Sequence, residues 1–302
     1  MNDNSSSDAL HAGKIRVGLL GFGKTGKAVA GVLLQDPTIH LEWVLRKSER
    51  LEFRSVPEFL GIESSEPGLI YPTSRFDIEE LLDKFPVDAI VDFSSEEGIF
   101  YYGKAAAARG VTIVTAISQY TKKQIDLLDE LSKSTRVLWS PNITLGINFM
   151  ILAAKTLRDI APNIDIEIVE EHFKAKPEVS GTALIIARAL NVEPENVKTI
   201  RAGGIIGVHE ILFGFPFQTV RLRHESISRE AFGNGAKFAV HELRNREPGL
   251  YKMDDLLGGY FVNSNIQYLP AAALAAGRRN NGAFAGMRRF WDSLKSPTAG
   301  GR

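Results

Sequence analysis

The sequence predicts an α/β fold: a doubly wound parallel sheet of the dinucleotide-binding type, joined to an α+β unit with a mixed sheet. Three observations carry that prediction. Short apolar runs alternate with helical patterns from Lys14 to Trp139. A G-x-G-x-x-G turn, Gly21 to Gly26, follows the first of those runs directly. Beyond Asn142 several strand-like segments follow one another without regular intervening helices.

Composition narrows the class before any element is placed. With 302 residues, 44% apolar and 24% charged, the chain suits a globular protein of two domains. Its 36 basic and 36 acidic side chains leave no net charge, so no global field recruits nucleic acid or anionic lipid. No apolar run approaches the ~20 residues that span a bilayer, and MNDNSSSDALHAG lacks the basic and apolar regions of a signal peptide. No membrane association and a cytoplasmic location are therefore expected. The absence of cysteine excludes disulfides, thiolate metal sites and a cysteine nucleophile, and no metal site is expected.

Residues 1–13 are small and polar and read as a disordered leader. Lys14 to Leu20 (KIRVGLL) is a strand, and the turn Gly21-Phe22-Gly23-Lys24-Thr25-Gly26 opens a helix. In such a turn Gly21 permits the reversal, Gly23 lets backbone approach a pyrophosphate, and Gly26 allows close helix–strand packing. The next strand, Ile39 to Leu45, ends at Arg46-Lys47-Ser48, where an NAD-specific site would carry an acidic residue. Two cations and a hydroxyl suit a 2′-phosphate, so NADPH is favoured, with NADH as the alternative donor.

Val87 to Phe93 is a near-continuous apolar run of the buried parallel kind, followed by a helix around Tyr101 to Arg109. A strand at Val111 to Val114, a helix near Lys122 to Ser132 and a strand at Arg136 to Trp139 complete the alternation. Ligands of such folds lie at strand C-terminal ends, so Phe93 and Ser94, Thr115, Ala116 and Ile117, and Ser140 to Asn142 are expected to line the cofactor crevice.

A helix from Gly146 to Ile160 leads into the stretch richest in chemistry, Asp165 to Leu190. It starts as a strand and ends as an amphipathic helix. The polar loop between them holds His172 and Lys176, both able to give or hold a proton, and then Ser180-Gly181-Thr182. Ser180 or Thr182 can cap the helix, and free N–H groups with the helix dipole there favour an anion. Strands at Val197 to Ala202, Gly207 to Phe213 and Thr219 to Ser226 and a helix from Ser228 to Leu243 follow. The expected division is residues 14–142 and 230–264 for the dinucleotide domain, 143–229 for substrate and oligomerisation, and 265–302 for a tail with a short helix at Met287 to Leu294.

In this order the motifs are similar to those of the dihydrodipicolinate reductase family. Glu167 to Ala183 (EIVEEHFKAKPEVSGTA) resembles the family's E-A-H-H-x-x-K-x-D-A-P-S-G-T-A segment. Pro141 to Asn148, Arg201 to Glu210, Ser228 to Ala236 and Gly249 to Leu257 support it. The resemblance implies hydride transfer from NAD(P)H to a cyclic imine-type dicarboxylate in lysine and diaminopimelate biosynthesis. By position it makes His172 the catalytic acid, Lys176 its partner, and Ser180, Gly181 and Thr182 the cradle for a substrate carboxylate. It also implies a homotetramer built through the second domain's sheet. Three departures stand out: Phe173 replaces the second histidine, Pro177-Glu178-Val179 shortens the D-A-P approach, and Thr115-Ala116-Ile117-Ser118 replaces a GTTG loop. They keep open a diverged reductase of another cyclic imine or oxo acid, or a non-catalytic NADP(H)-binding protein.

Overall fold

The computed structural model describes residues 13–64, 66 and 68–268. In chain order the elements are β1 (Ile15–Leu20), α1 (Lys24–Leu34), β2 (Ile39–Arg46), α2 (Val56–Leu60), β3 (Leu69–Pro72), α3 (Ile78–Lys84), β4 (Ala89–Asp92), α4 (Gly98–Ala108), β5 (Thr112–Thr115), α5 (Lys122–Leu131), β6 (Arg136–Trp139) and α6 (Leu145–Ile160). They continue as β7 (Asp165–His172), α7 (Gly181–Ala189), β8 (Lys198–Arg201), β9 (Val208–Phe215), β10 (Gln218–Glu225), α8 (Glu230–Leu243), β11 (Gly249–Tyr251) and α9 (Met253–Tyr268). Two compact units result. One runs through Asn148 and takes in Ile227–Leu256; the other holds Phe149–Ser226 and the described residues from Leu257.

The first unit is a parallel sheet of strand order β11-β6-β5-β4-β1-β2-β3. Its central strands are buried on both faces: Val17, Leu19, Leu41, Trp43, Ile90, Ile113 and Val137 are all inaccessible to solvent. Each such aliphatic side chain contributes roughly 1.5–3 kcal/mol by leaving water. Trp43, the largest of them, also satisfies its indole by donating to the Phe85 carbonyl at 3.0 Å. The covering helices start where the sequence supplies caps. Asp77 accepts from the Glu79 and Glu80 amides ahead of α3, and Thr121 with Gln124 forms a capping box ahead of α5. Because the strands are parallel and in register, Leu20 pairs with Asp92, Asp92 with Thr115 and Thr115 with Trp139. All the expected crevice segments thus leave the sheet at one edge.

The second unit is a mixed sheet of order β10-β9-β7-β8, with β7 parallel to β8 and antiparallel to β9. Register sorts its face into rows. Ile166, Phe213 and Val220 form one row, Ile168, Ile211 and Leu222 the next, and Glu170, His209 and His224 the third. An apolar sheet face therefore turns polar toward the C-terminal end of β7.

Several elements differ from expectation. Short α2, β3 and α3, and the pair β11 and α9, are additional; five-residue α2 and Pro-ended β3 lie below the length at which periodicity is readable. The helix α9 extends through residues 265–268, which the expected division places in the tail. The unit boundaries fall after residues 148, 226 and 256 instead of 142, 229 and 264. The expected leader, apart from Gly13, and the expected Met287 to Leu294 helix lie outside the described residues. No helix among the described residues is long and apolar enough to cross a membrane.

Candidate active site

The cofactor crevice is built first from backbone. Gly21 has φ +99°, and a Cβ there would lie 2.6 Å from the Phe93 carbonyl oxygen, so only glycine allows this turn. Gly26 presses against the Gly21 carbonyl, which seats α1 directly beneath the turn. At Gly23 a Cβ would meet nothing within 4 Å, which leaves the ligand side of the loop open. Gly23 caps α1 without a side-chain hydrogen bond, so the first-turn amides of Lys24, Thr25 and Gly26 are available to a phosphate.

Two cavities adjoin along this edge and share Phe93, Ser94 and Ser95. One, of roughly 530 Å³, is lined by Gly21, Phe22, Gly23, Arg46, Lys47 and Ser48 among others. The second, of roughly 590 Å³, is lined by Thr25, Ala116, Ile117, Ser118 and Phe232 among others. These dimensions, the basic triplet and the open glycine loop fit a dinucleotide. Thr115, Ser140 and Asn142 stand behind the wall. Thr115 shares a 2.7 Å hydrogen bond with Tyr120, the Ser140 hydroxyl donates to the Asn142 carbonyl, and the Asn142 side chain accepts from Thr144.

Below Ser94 lies Asp92, fully buried. Its Oδ1 accepts from the Ser94 amide and hydroxyl at 2.8 and 2.6 Å, and its Oδ2 from Tyr102 at 3.1 Å. Burial pushes its carboxyl up to about 6 although those three donors pull the other way. Asp92, Phe232 and Tyr102 escaped the sequence reading, since an apolar run or helix gives no sign that one residue turns toward a loop.

The second centre is made of side chains. His172, at the end of β7, has its Nδ1 hydrogen-bonded to Glu170 Oε2, two residues back and on the same face of the strand. Glu170 is wholly buried, and Arg201 from β8 grips it with two hydrogen bonds, 3.0 Å to Oε2 and 2.7 Å to Oε1. Burial alone would raise the Glu170 carboxyl, but Arg201 and His172 reverse this and hold it below its ordinary value. Arg201 also donates to the carbonyls of Lys176 and Glu178, fixing the loop that carries Lys176. With Nδ1 committed to Glu170, Nε2 of His172 is the atom that can exchange a proton with a ligand.

Ser180 departs from expectation. It stands at the N-cap of α7 but makes no side-chain cap; its hydroxyl pairs instead with His209 Nε2 at 2.9 Å. Nor does Phe173 enter the core, being 43% exposed. Glu170, Arg201 and His209 were not singled out from the sequence. The i, i+2 spacing of Glu170 and His172 on a strand was a usable sign for the first, whereas Arg201 and His209 reach the centre only through sheet pairing.

A glycine-turn dinucleotide fold with a carboxylate-held histidine in its second unit belongs to the class of NAD(P)H-dependent oxidoreductases. Within it the family is defined by sequence: residues 15–143 match the model for "Dihydrodipicolinate reductase, N-terminus" and residues 143–257 that for "Dihydrodipicolinate reductase, C-terminus". The chain belongs to the dihydrodipicolinate reductase family, as its motifs led one to expect. It is 32% identical to the 4-hydroxy-tetrahydrodipicolinate reductase of Caldanaerobacter subterraneus subsp. tengcongensis, over 78% of this chain and 94% of that one. Identity to the enzyme of the same name from Aquifex aeolicus is 30%, over 81% and 99%. The dipicolinate-bound dihydrodipicolinate reductase from Paenisporosarcina sp. TG-14 shares the fold, with a TM-score of 0.65 at 22% identity over 79% of this chain and 97% of that one.

Proposed function

We propose that this protein reduces 4-hydroxy-tetrahydrodipicolinate, or the dihydrodipicolinate formed from it by loss of water, to tetrahydrodipicolinate in the cytoplasmic route to diaminopimelate and lysine. NADPH is the preferred donor, since Arg46, Lys47 and Ser48 line the crevice where an NAD-specific site would carry an acid. The observation that carries this reading is the His172–Glu170–Arg201 array beside the uncapped N-terminus of α7, in a chain of this family.

Bound nicotinamide supplies a hydride. The protein supplies everything else the step needs. Hydride addition to a conjugated imine leaves an electron pair on the substrate, and His172 Nε2–H delivers the proton that neutralises it. Glu170 holds the imidazole by Nδ1 and compensates the charge it carries before transfer; a proton from solvent then restores it. The stoichiometry is one hydride and one proton per double bond reduced. Lys176 pairs with one substrate carboxylate, and Ser180, Gly181 and Thr182 receive the other at the positive end of α7. The half-exposed β10, at the sheet edge, is the surface we assign to assembly of a homotetramer.

A second reading rests on Phe173, which offers an apolar face where the family has a second histidine. It predicts activity on a less polar cyclic imine. The deciding assay follows NADPH oxidation while pyruvate and aspartate semialdehyde are condensed in situ by a synthase. Expected are synthase-dependent oxidation, a higher kcat/KM for NADPH than for NADH, and a loss of about 10²–10⁴ in kcat for His172→Gln. Oxidation that appears only with other cyclic imines would favour the second reading; His172→Gln with wild-type kcat would overturn the assigned acid.

A further inference from the structure

We infer that His209 is a positioning residue for substrate binding: it donates to the Ser180 hydroxyl oxygen and so leaves the Ser180 hydrogen to be given to a substrate carboxylate at the start of α7. The inference rests on the reductase reading for the identity of that carboxylate, but not for the geometry.

Both side chains are buried, Ser180 at 5% and His209 at 4% exposure, and Ser180 Oγ lies 2.9 Å from His209 Nε2. The other ring nitrogen, Nδ1, is buried and has no hydrogen-bond partner among the described residues. That asymmetry decides the tautomer. A proton on Nδ1 would bury an unpaired N–H donor and consume the Ser180 hydrogen in a bond to Nε2. A proton on Nε2 leaves only an unshared lone pair at Nδ1, and buried orphan acceptors are tolerated better than buried orphan donors.

The doubly protonated ring is excluded by its setting. Burial first, then the charges of His172, His224 and Lys176, lower His209 to about 4, with Glu170 opposing them. Glu170 and His172 stand on the neighbouring strand β7, His224 on β10, and Lys176 in the loop before α7. A neutral, Nε2-protonated His209 therefore points its hydrogen at Ser180 Oγ.

Ser180 is then polarised as a donor. Among the described residues its hydroxyl has no partner besides His209, and it makes no cap to the α7 amides. Those amides, the helix dipole and the Ser180 hydrogen consequently all offer positive charge to one acceptor. A hydroxyl free to rotate would act equally as acceptor and bind a neutral group as readily; His209 removes that freedom and selects an anion.

The test compares His209→Gln, whose amide N–H reaches like Nε2–H, with His209→Leu, which keeps volume and loses the donor, alongside Ser180→Ala and the Leu/Ala double variant. Steady-state constants are measured together with the Kd for pyridine-2,6-dicarboxylate by calorimetry in the presence of NADPH. The expected result is near-wild-type affinity for His209→Gln, within about threefold. His209→Leu and Ser180→Ala should each weaken dicarboxylate affinity and raise substrate KM about tenfold with cofactor KM unchanged, and His209→Leu should keep its kcat. The double variant should be no weaker than Ser180→Ala alone. Wild-type affinity in His209→Leu, equal losses in the Gln and Leu variants, or additive losses in the double variant would each overturn the inference. Dicarboxylate binding that follows this pattern in a wild-type protein without turnover would instead refute only the reductase reading, and no binding by wild type would refute both.

Discussion

The Gly21–Gly26 turn presents peptide N–H groups at a helix start, whereas around His172 stand imidazole, carboxylate, guanidinium and hydroxyl groups from several strands and a loop. Backbone groups are supplied by any sequence that can adopt the turn, so the first site depends on the absence of side chains. The second depends on each side chain having its partner. Losing a partner there strands a buried polar group, and the cost is that of desolvation without compensation.

The largest expected effect tests the side-chain centre. Arg201→Leu leaves the Glu170 carboxylate buried with one of its two principal partners gone, and should cost about 3–5 kcal/mol in chemical denaturation. Adding Glu170→Gln should return part of that loss; a double variant no more stable than Arg201→Leu would mean the charge is not what costs.

A smaller effect separates two roles within the glycine turn. Gly26→Ala forces a methyl group into the Gly21 carbonyl, and about 2 kcal/mol of stability should go with it. Gly23→Ala meets open space and should leave the melting temperature almost unchanged while cofactor affinity drops about tenfold. Equal cofactor Kd for wild type and Gly23→Ala, read by NADPH fluorescence, would remove the pyrophosphate from that loop.

The smallest effect comes from a largely buried ionic cluster at the start of β2. His40 lies between Glu42 at 3.1 Å and Glu66 at 3.5 Å, and Lys14 holds Glu66 at 2.7 Å. Burial would lower His40, but its two carboxylate partners raise it to about 9. A raised histidine stabilises the fold fully below its ordinary value of 6.5 and ceases to do so as the pH rises through about 9. The stability advantage of wild type over His40→Gln should therefore shrink by about 1–2 kcal/mol over that interval. An advantage independent of pH would show that His40 contributes packing alone, and that a buried histidine among carboxylates need not behave as part of an ion network.

How legible each region was follows from the same contrast. The turn, the basic triplet Arg46-Lys47-Ser48 and the His172 to Thr182 stretch are contiguous, and local spacing carries their chemistry. Ser180 shows the limit: its place before an amphipathic run correctly marks the start of α7, yet its hydroxyl serves His209, 29 residues away. The β3 strand and α2 were unreadable because four or five residues hold too few periods of either pattern.

By itself the sequence determined the parallel sheet with its dinucleotide turn and the mixed second sheet, because hydrophobic period and glycine spacing are properties of neighbouring residues, and its motifs pointed to the family. Only the tertiary structure decided that Glu170 and Arg201 hold His172, that His209 occupies the Ser180 hydroxyl, and that Asp92 sits beneath Ser94. Those pairings join β7 to β8 and the start of α7 to β9, or depend on which way one strand-end side chain turns. They are set by register between strands and by the cost of burying an unpaired polar group, neither of which is visible along a single chain.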